Sequence, residues 1–98
     1  MIYVIAELRL KPGMAEKAAA EARKVVAGTV KEYGCLYYDM HLSVTDPTRL
    51  VAVERWTSRE ALEAHMHTPH LKAWRAAGAE FVLERNIQII TPEKVDKP

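Results

Sequence analysis

The chain has 98 residues, 49% of them hydrophobic and 28% charged, and a formal net charge of +1. That length allows one domain with a single modest core, and the composition is that of an ordinary soluble globular protein. Basic residues are scattered among acidic ones, which leaves no basic stripe for nucleic acid and no attraction to an anionic membrane.

The first segment, Ile2 to Leu10, alternates: Ile2, Val4, Ala6, Leu8 and Leu10 on one side, Tyr3, Ile5, Glu7 and Arg9 on the other. It reads as a strand rather than a signal peptide or membrane span, because it carries charge and has no basic leader. Lys11-Pro12-Gly13 stops it. Apolar positions from Met14 to Tyr33 then follow helical spacing, a predicted helix roughly 30 Å long, and Gly34 stands where a left-handed cap is wanted. Leu36 to Val44 alternates again, Asp46-Pro47 marks a turn, and Leu50 to Trp56 is a third strand. Thr57 to Glu60 has capping-box form with Thr57 as the N-cap, opening a short helix to about Met66. Thr68-Pro69 starts another, with a hydroxyl cap and proline in the first turn, ending near Gly78. Phe81 to Ile90 supplies a fourth strand before a polar tail, Thr91 to Pro98.

The order is that of an α+β, ferredoxin-like split βαβ fold: one four-stranded antiparallel sheet with its helices on one side. The second sheet face, with Tyr3 and Ile5 from the first strand, then has no helix to cover it. Such a face usually marks an interaction site, and back-to-back pairing of two sheets would bury it, so a homodimer is expected. Cys35 is the only cysteine. It excludes an intrachain disulfide and a thiolate metal cluster and fits a cytoplasmic location. No base is placed to activate it.

Chemistry-bearing residues concentrate in EAHMHTPHLKAW, Glu63 to Trp74, which holds three of the four histidines. His65 and His67 diverge by roughly 200° on a helix, so they cannot share a face. Pro69 interrupts the helix between His67 and His70, and no HExxH spacing exists. The expected metal content is none. His67 reads as solvent-facing. His70 reads either as an early-turn residue or as part of a site. His65 shares a helical face with Leu62, Met66 and Pro69 and so points toward the sheet; among apolar neighbours its charged form is disfavoured, which leaves a neutral proton acceptor. Glu54 and Trp56 share a strand face. A buried Glu54 must find a partner, either a histidine or Arg9, Arg55 or Arg85. Trp56 reads as a core residue stapling the next helix or as a substrate contact, and Tyr38, Met40 and Trp74 as core or as the lining of a ligand cavity.

The stretches VIAELRLKPG, KEYGCLYY, VERWTSREALEAHMHTPHLKAW and NIQII, with E-x-W-x-S, A-x-x-x-H and T-P-H in order, resemble the antibiotic biosynthesis monooxygenase family, in particular its small bacterial quinol monooxygenases. The resemblance covers nearly the whole chain. It implies dimeric α+β barrels and oxidation of phenols or hydroquinones by O2 without a cofactor. By the same match His65 is the catalytic base, Glu54, Trp56, Tyr38 and Trp74 belong to the substrate pocket, and His70 closes it. Haem-degrading relatives need an asparagine, a tryptophan and a histidine ligand where this chain has Leu8, His65 and Arg75, and an arginine cannot replace an axial imidazole. A branch acting on a phosphorylated sugar shares a similar H...TPH run, so an isomerase, or a ligand-binding module without catalysis, is the alternative.

Overall fold

Alternation in the first segment produces a central strand, β1 (Ile2–Leu10), whose even-numbered residues are buried throughout. In the computed structural model, which describes residues 1–98, it is followed by α1 (Ala15–Thr29), β2 (Cys35–Leu42), β3 (Arg49–Trp56), α2 (Arg59–His65), α3 (Pro69–Gly78) and β4 (Val82–Ile90). The sheet is antiparallel in the order β2-β3-β1-β4, the ferredoxin-like arrangement, and both helical layers lie on one face. No helix is long and apolar enough to cross a membrane.

Register decides what faces the helices. Val4 pairs with Glu54 and Ile89, Ala6 with Ala52 and Ile87, and Leu8 with Leu50 and Arg85. Tyr38 pairs with Glu54 and Met40 with Ala52. Directly opposed residues share a face, so the inner face of the sheet carries an apolar field with a carboxyl group within it. The helices bury that field near β1 and β3 through Val25, Leu62, Leu71 and Trp74. They leave the far part of β4 less covered, where Ile87 and Ile89 remain 43% and 39% exposed. On the outer face Tyr3, Ile5, Tyr37, Val51, Val53 and Ile90 are half-buried by one another, and no helix lies over them.

Several boundaries differ from the sequence reading. α1 ends at Thr29, not Tyr33, and Tyr33 is 95% exposed; the buried residues of the helix are Ala18, Ala22, Val25 and Thr29, with Val26 packed against the core beside them. β2 stops at Leu42, leaving Val44 in the loop. The N-cap of α2 is Ser58, whose hydroxyl accepts from the Ala61 N–H at 3.2 Å. Thr57 stands one residue before the cap, and its own N–H donates to the Gly34 carbonyl at 2.9 Å. The cap of α3 is as expected: Thr68 accepts from the Leu71 N–H, with Pro69 at the first helical position.

Gly34 has φ +83°, and a Cβ there would stand 2.5 Å from the Ala61 Cβ and 2.7 Å from Thr57 Oγ1. The turn after α1 thus presses directly on α2, which only glycine permits. Gly34→Ala is expected to lower stability by about 2–4 kcal/mol through left-handed strain plus overpacking, visible as a reduced melting temperature with the far-UV spectrum retained. An unchanged melting temperature would disprove that contact.

Candidate functional site

The site forms where the turn after α1 meets the junction of α2 and α3. His65 is the last residue of α2. Its carbonyl accepts from Thr68 Oγ1 at 2.8 Å, and the same hydroxyl caps α3. This single threonine fixes the angle between the two helices and brings His70, five residues on, back beside His65; their ring centroids are 6.2 Å apart. Glu32 enters from the opposite side. Its turn is held by the Glu32 N–H to the Thr29 carbonyl at 2.9 Å and by the Cys35 N–H to the Glu32 carbonyl at 3.2 Å.

One carboxylate oxygen, Glu32 Oε2, lies 2.8 Å from His65 Nδ1 and 2.6 Å from His70 Nε2. Both imidazoles donate to it, which fixes their tautomers. His70 reaches this position because α1 has Gly28 there: a Cβ at residue 28 would stand 2.7 Å from the His70 Cγ. With Nδ1 committed, His65 has Nε2 left, and this atom makes no hydrogen bond in the chain. It is not sealed off either, since the one buried side-chain polar atom without a partner is Thr29 Oγ1. His65 lines a cavity of about 50 Å³ between the helices and all four strands, bordered mostly by apolar side chains, and Nε2 is the ring nitrogen left to face it.

His65 is 2% exposed, with the rings of Trp56 and Tyr38 at 4.9 and 5.3 Å. Burial lowers its pKa, against the opposing pull of Glu32, so the ring is neutral around pH 7 with a free Nε2 lone pair. Glu54 lies at the cavity floor. Its Oε1 accepts from the Trp56 indole N–H at 3.0 Å, and burial pushes its pKa up to about 7, with the Glu32 charge adding to the shift. Burial also raises the Tyr38 phenol, which stays protonated. The cavity therefore pairs a neutral proton acceptor with a carboxyl group poised between its two forms, an arrangement suited to proton abstraction.

Of the residues singled out from the sequence, His65, Glu54, Tyr38 and Trp74 line the cavity, as does Met40. Trp56 and His70 do not. Trp56 is wholly buried behind the wall, supporting His65 and bonding Glu54. His70 stands behind His65, against Gly28 and Glu32, so it supports the histidine and does not close the pocket. Glu54 is bonded to Trp56 and not to an arginine or histidine. His67 is exposed. Glu32 went unnoticed in the sequence; its place in KEYGC, two residues before the glycine that ends the α1 turn, was the available signal.

Glu32, His65 and His70 also constitute a donor set, with their ligand atoms within 4.8 Å of one another. Two imidazoles and a carboxylate suit a first-row divalent metal. Tetrahedral ligands at about 2.0–2.2 Å from an ion lie roughly 3.3 Å apart, whereas the Glu32 oxygen is at hydrogen-bond distance from each ring. The residues therefore fit a proton-mediated cluster better than a metal centre.

Residues 1–77 match the family model described as antibiotic biosynthesis monooxygenase. The chain belongs to that family. Among curated relatives it is 39% identical to the "Probable quinol monooxygenase YgiN" of Escherichia coli (strain K12), over 94% of this chain and 98% of that protein. Among solved structures it is similar to Rv0793 from Mycobacterium tuberculosis, with a TM-score of 0.88, 28% identity and 98% coverage of both chains. It is also similar to PA3566 from Pseudomonas aeruginosa, with a TM-score of 0.87, 29% identity and coverage of 95% and 94%. Within this antibiotic biosynthesis monooxygenase framework, Glu54, His65, Arg75 and Arg85 are the polar residues that line an otherwise apolar cavity, with Glu32 and His70 behind His65.

Two titrations test the site. Glu54 has a folded pKa of about 7 against an ordinary 4.5, so between those values the folded state holds more protons than the unfolded one. Stability contributed below about pH 4.5 is then lost as pH rises to about 7. Glu54→Gln keeps an oxygen for Trp56 and removes the titration, so the variant is expected to gain on the parent by about 2–3 kcal/mol across this interval, measured by denaturant unfolding at several pH values. Parallel curves would contradict it. In Glu32→Gln the upward pull on His65 disappears, and NMR titration should find the His65 pKa lower still; a rise would show that Glu32 does not act on the ring.

Proposed function

We propose that this protein is a cofactor-independent monooxygenase that oxidises a hydroquinone-like or phenolic small molecule with O2, working as a homodimer. The observation that carries the reading is the free Nε2 of a buried, neutral-leaning His65 facing a mainly apolar cavity, with its other nitrogen held by Glu32. Family membership and the likeness to a probable quinol monooxygenase support the reaction class.

The chemistry asks little of the protein beyond positioning and proton transfer. His65 Nε2 accepts a hydroxyl proton from the substrate, and Glu32 stabilises the imidazolium through Nδ1–H. The resulting electron-rich anion itself reduces O2. For a hydroquinone, one oxygen atom enters the ring and the other leaves as water; the product is a hydroxyquinone, and all four electrons come from the substrate. Glu54, near its own midpoint at neutral pH, is suited to supply or take the second proton. The apolar wall keeps water away from reactive intermediates. Dimer formation through the outer sheet face would cover Tyr3, Ile5, Val51 and Val53.

The test is oxygen uptake by chelator-treated protein across a panel of hydroquinones. Uptake is expected to persist after metal removal and to fall at least about 100-fold in His65→Ala, the usual contribution of a positioned base, while sedimentation still reports a dimer of the 11.1 kDa chain. No uptake across the panel would remove the reading. Uptake lost on chelation and restored by one metal would make Glu32, His65 and His70 a metal centre instead.

A further inference from the structure

Arg75 on α3 and Arg85 on β4 both line the cavity and are both exposed. Arg9, Arg49 and Arg59 have acidic partners within the chain, Glu84, Asp46 and Glu63 in turn. Arg23, Arg55, Arg75 and Arg85 have none, and of these four only Arg75 and Arg85 line the cavity. Arg85 Nη2 lies 3.0 Å from where a Cβ on Gly78 would stand, so its guanidinium rests on α3 at Gly78. Arg75 is three residues earlier and on the same side of that helix. The positive charge of Arg75 reaches the cavity, acting on both Tyr38 and His65. Two cations without an acidic partner in the chain thus flank the mouth, while Glu54, opposite Val4, is four residues along β1 from Arg85, opposite Leu8.

The cavity is also too small to enclose a ring. It has about 50 Å³, against about 150 Å³ for an apolar cavity that takes up benzene. A bound aromatic must leave one edge in the mouth, between the helix and β4. Whatever substituent that edge carries meets the arginines.

We propose that the mouth is an anion subsite, and that the substrate is a hydroxylated aromatic bearing one carboxylate, held with its hydroxyl edge inward toward His65 and its carboxylate between Arg75 and Arg85. The identity of the ring rests on the monooxygenase reading; the subsite does not. Guanidinium groups suit the two oxygens of a carboxylate, as charge-assisted and often bidentate partners. A sugar phosphate would satisfy the arginines but would press its hydroxyls against a wall whose inner polar groups are limited to Glu54, His65 and the Tyr38 phenol, leaving most of them unpaired.

Anaerobic binding followed by the fluorescence of Trp74, which lines the cavity, tests this without requiring turnover. The probes are 2,5-dihydroxybenzoate, 1,4-dihydroxybenzene and ribose 5-phosphate. The benzoate is expected to bind at least about tenfold more tightly than the uncharged ring, as one or two charged hydrogen bonds allow. That ratio is expected to fall toward one in the Arg75→Met, Arg85→Met double variant, with circular dichroism reporting an intact fold. Equal affinity for the two rings, no binding of the benzoate, a ratio unchanged in the variant, or preference for ribose 5-phosphate would each overturn the proposal. Oxygen uptake on the same samples separates the two readings. Tight benzoate binding without uptake removes the oxygenase and leaves the subsite, whereas uptake with equal affinities removes the subsite alone.

Discussion

Everything in the site hangs on one oxygen atom. Glu32 Oε2 accepts from both His65 and His70, and each group in that arrangement comes from a different part of the chain. A histidine in an apolar pocket ordinarily rotates to suit whichever nitrogen finds a partner. Here the carboxylate assigns Nδ1 of His65 a fixed role and so assigns Nε2 to the cavity. The rest of the local architecture keeps that oxygen in place: Gly34 brings the Glu32 turn against α2, Thr68 sets the helix angle, and Gly28 makes room for the second ring.

Burying so much polarity is costly unless each group is answered. Glu54 is answered by the Trp56 indole, His65 by Glu32, and Glu32 by two N–H donors. The remaining tension shows as shifted ionisation: the acid of Glu54 moves up to about 7 and the base of His65 moves down, so the usual order of a carboxyl and an imidazole is inverted. This inversion follows from burial, which for Glu54 comes from its place on the inner face of the sheet opposite Val4 and Tyr38. The same residue on the outer face would be an ordinary ionised carboxylate.

The sheet was legible because strand periodicity is local. Ile2 to Leu10 declares its buried side in nine consecutive residues, and the turn signals at Pro12-Gly13 and Asp46-Pro47 bound the segments. His65 was legible for the same reason, through its spacing from Leu62. Glu32 was not. It lies 33 residues before His65, and nothing in a periodic pattern says which carboxylate will return to a helix end. The pairing of His65 with His70 was hidden by the proline between them, which seemed to separate the two and in fact turns the chain so that they meet. Thr57 and Ser58 were both acceptable caps by residue type; Ser58 takes the role through its hydroxyl on the Ala61 N–H, while the Thr57 N–H donates to the Gly34 carbonyl, a contact across the fold. Trp56 was open between core and pocket, and only the depth of the sheet decided for the core.

The layer of α2 and α3 rests on the sheet through Leu62, Leu71 and Trp74, and these contacts are dispersive, with no ladder hydrogen bond joining either helix to a strand. Lifting that layer to admit a guest would forfeit van der Waals contact, a loss the guest can itself restore, while the strands keep every rung. The cavity is in this sense compliant on one wall and stiff on the other: the stiff wall sets where the acid stands, and the compliant wall sets how large a visitor can be.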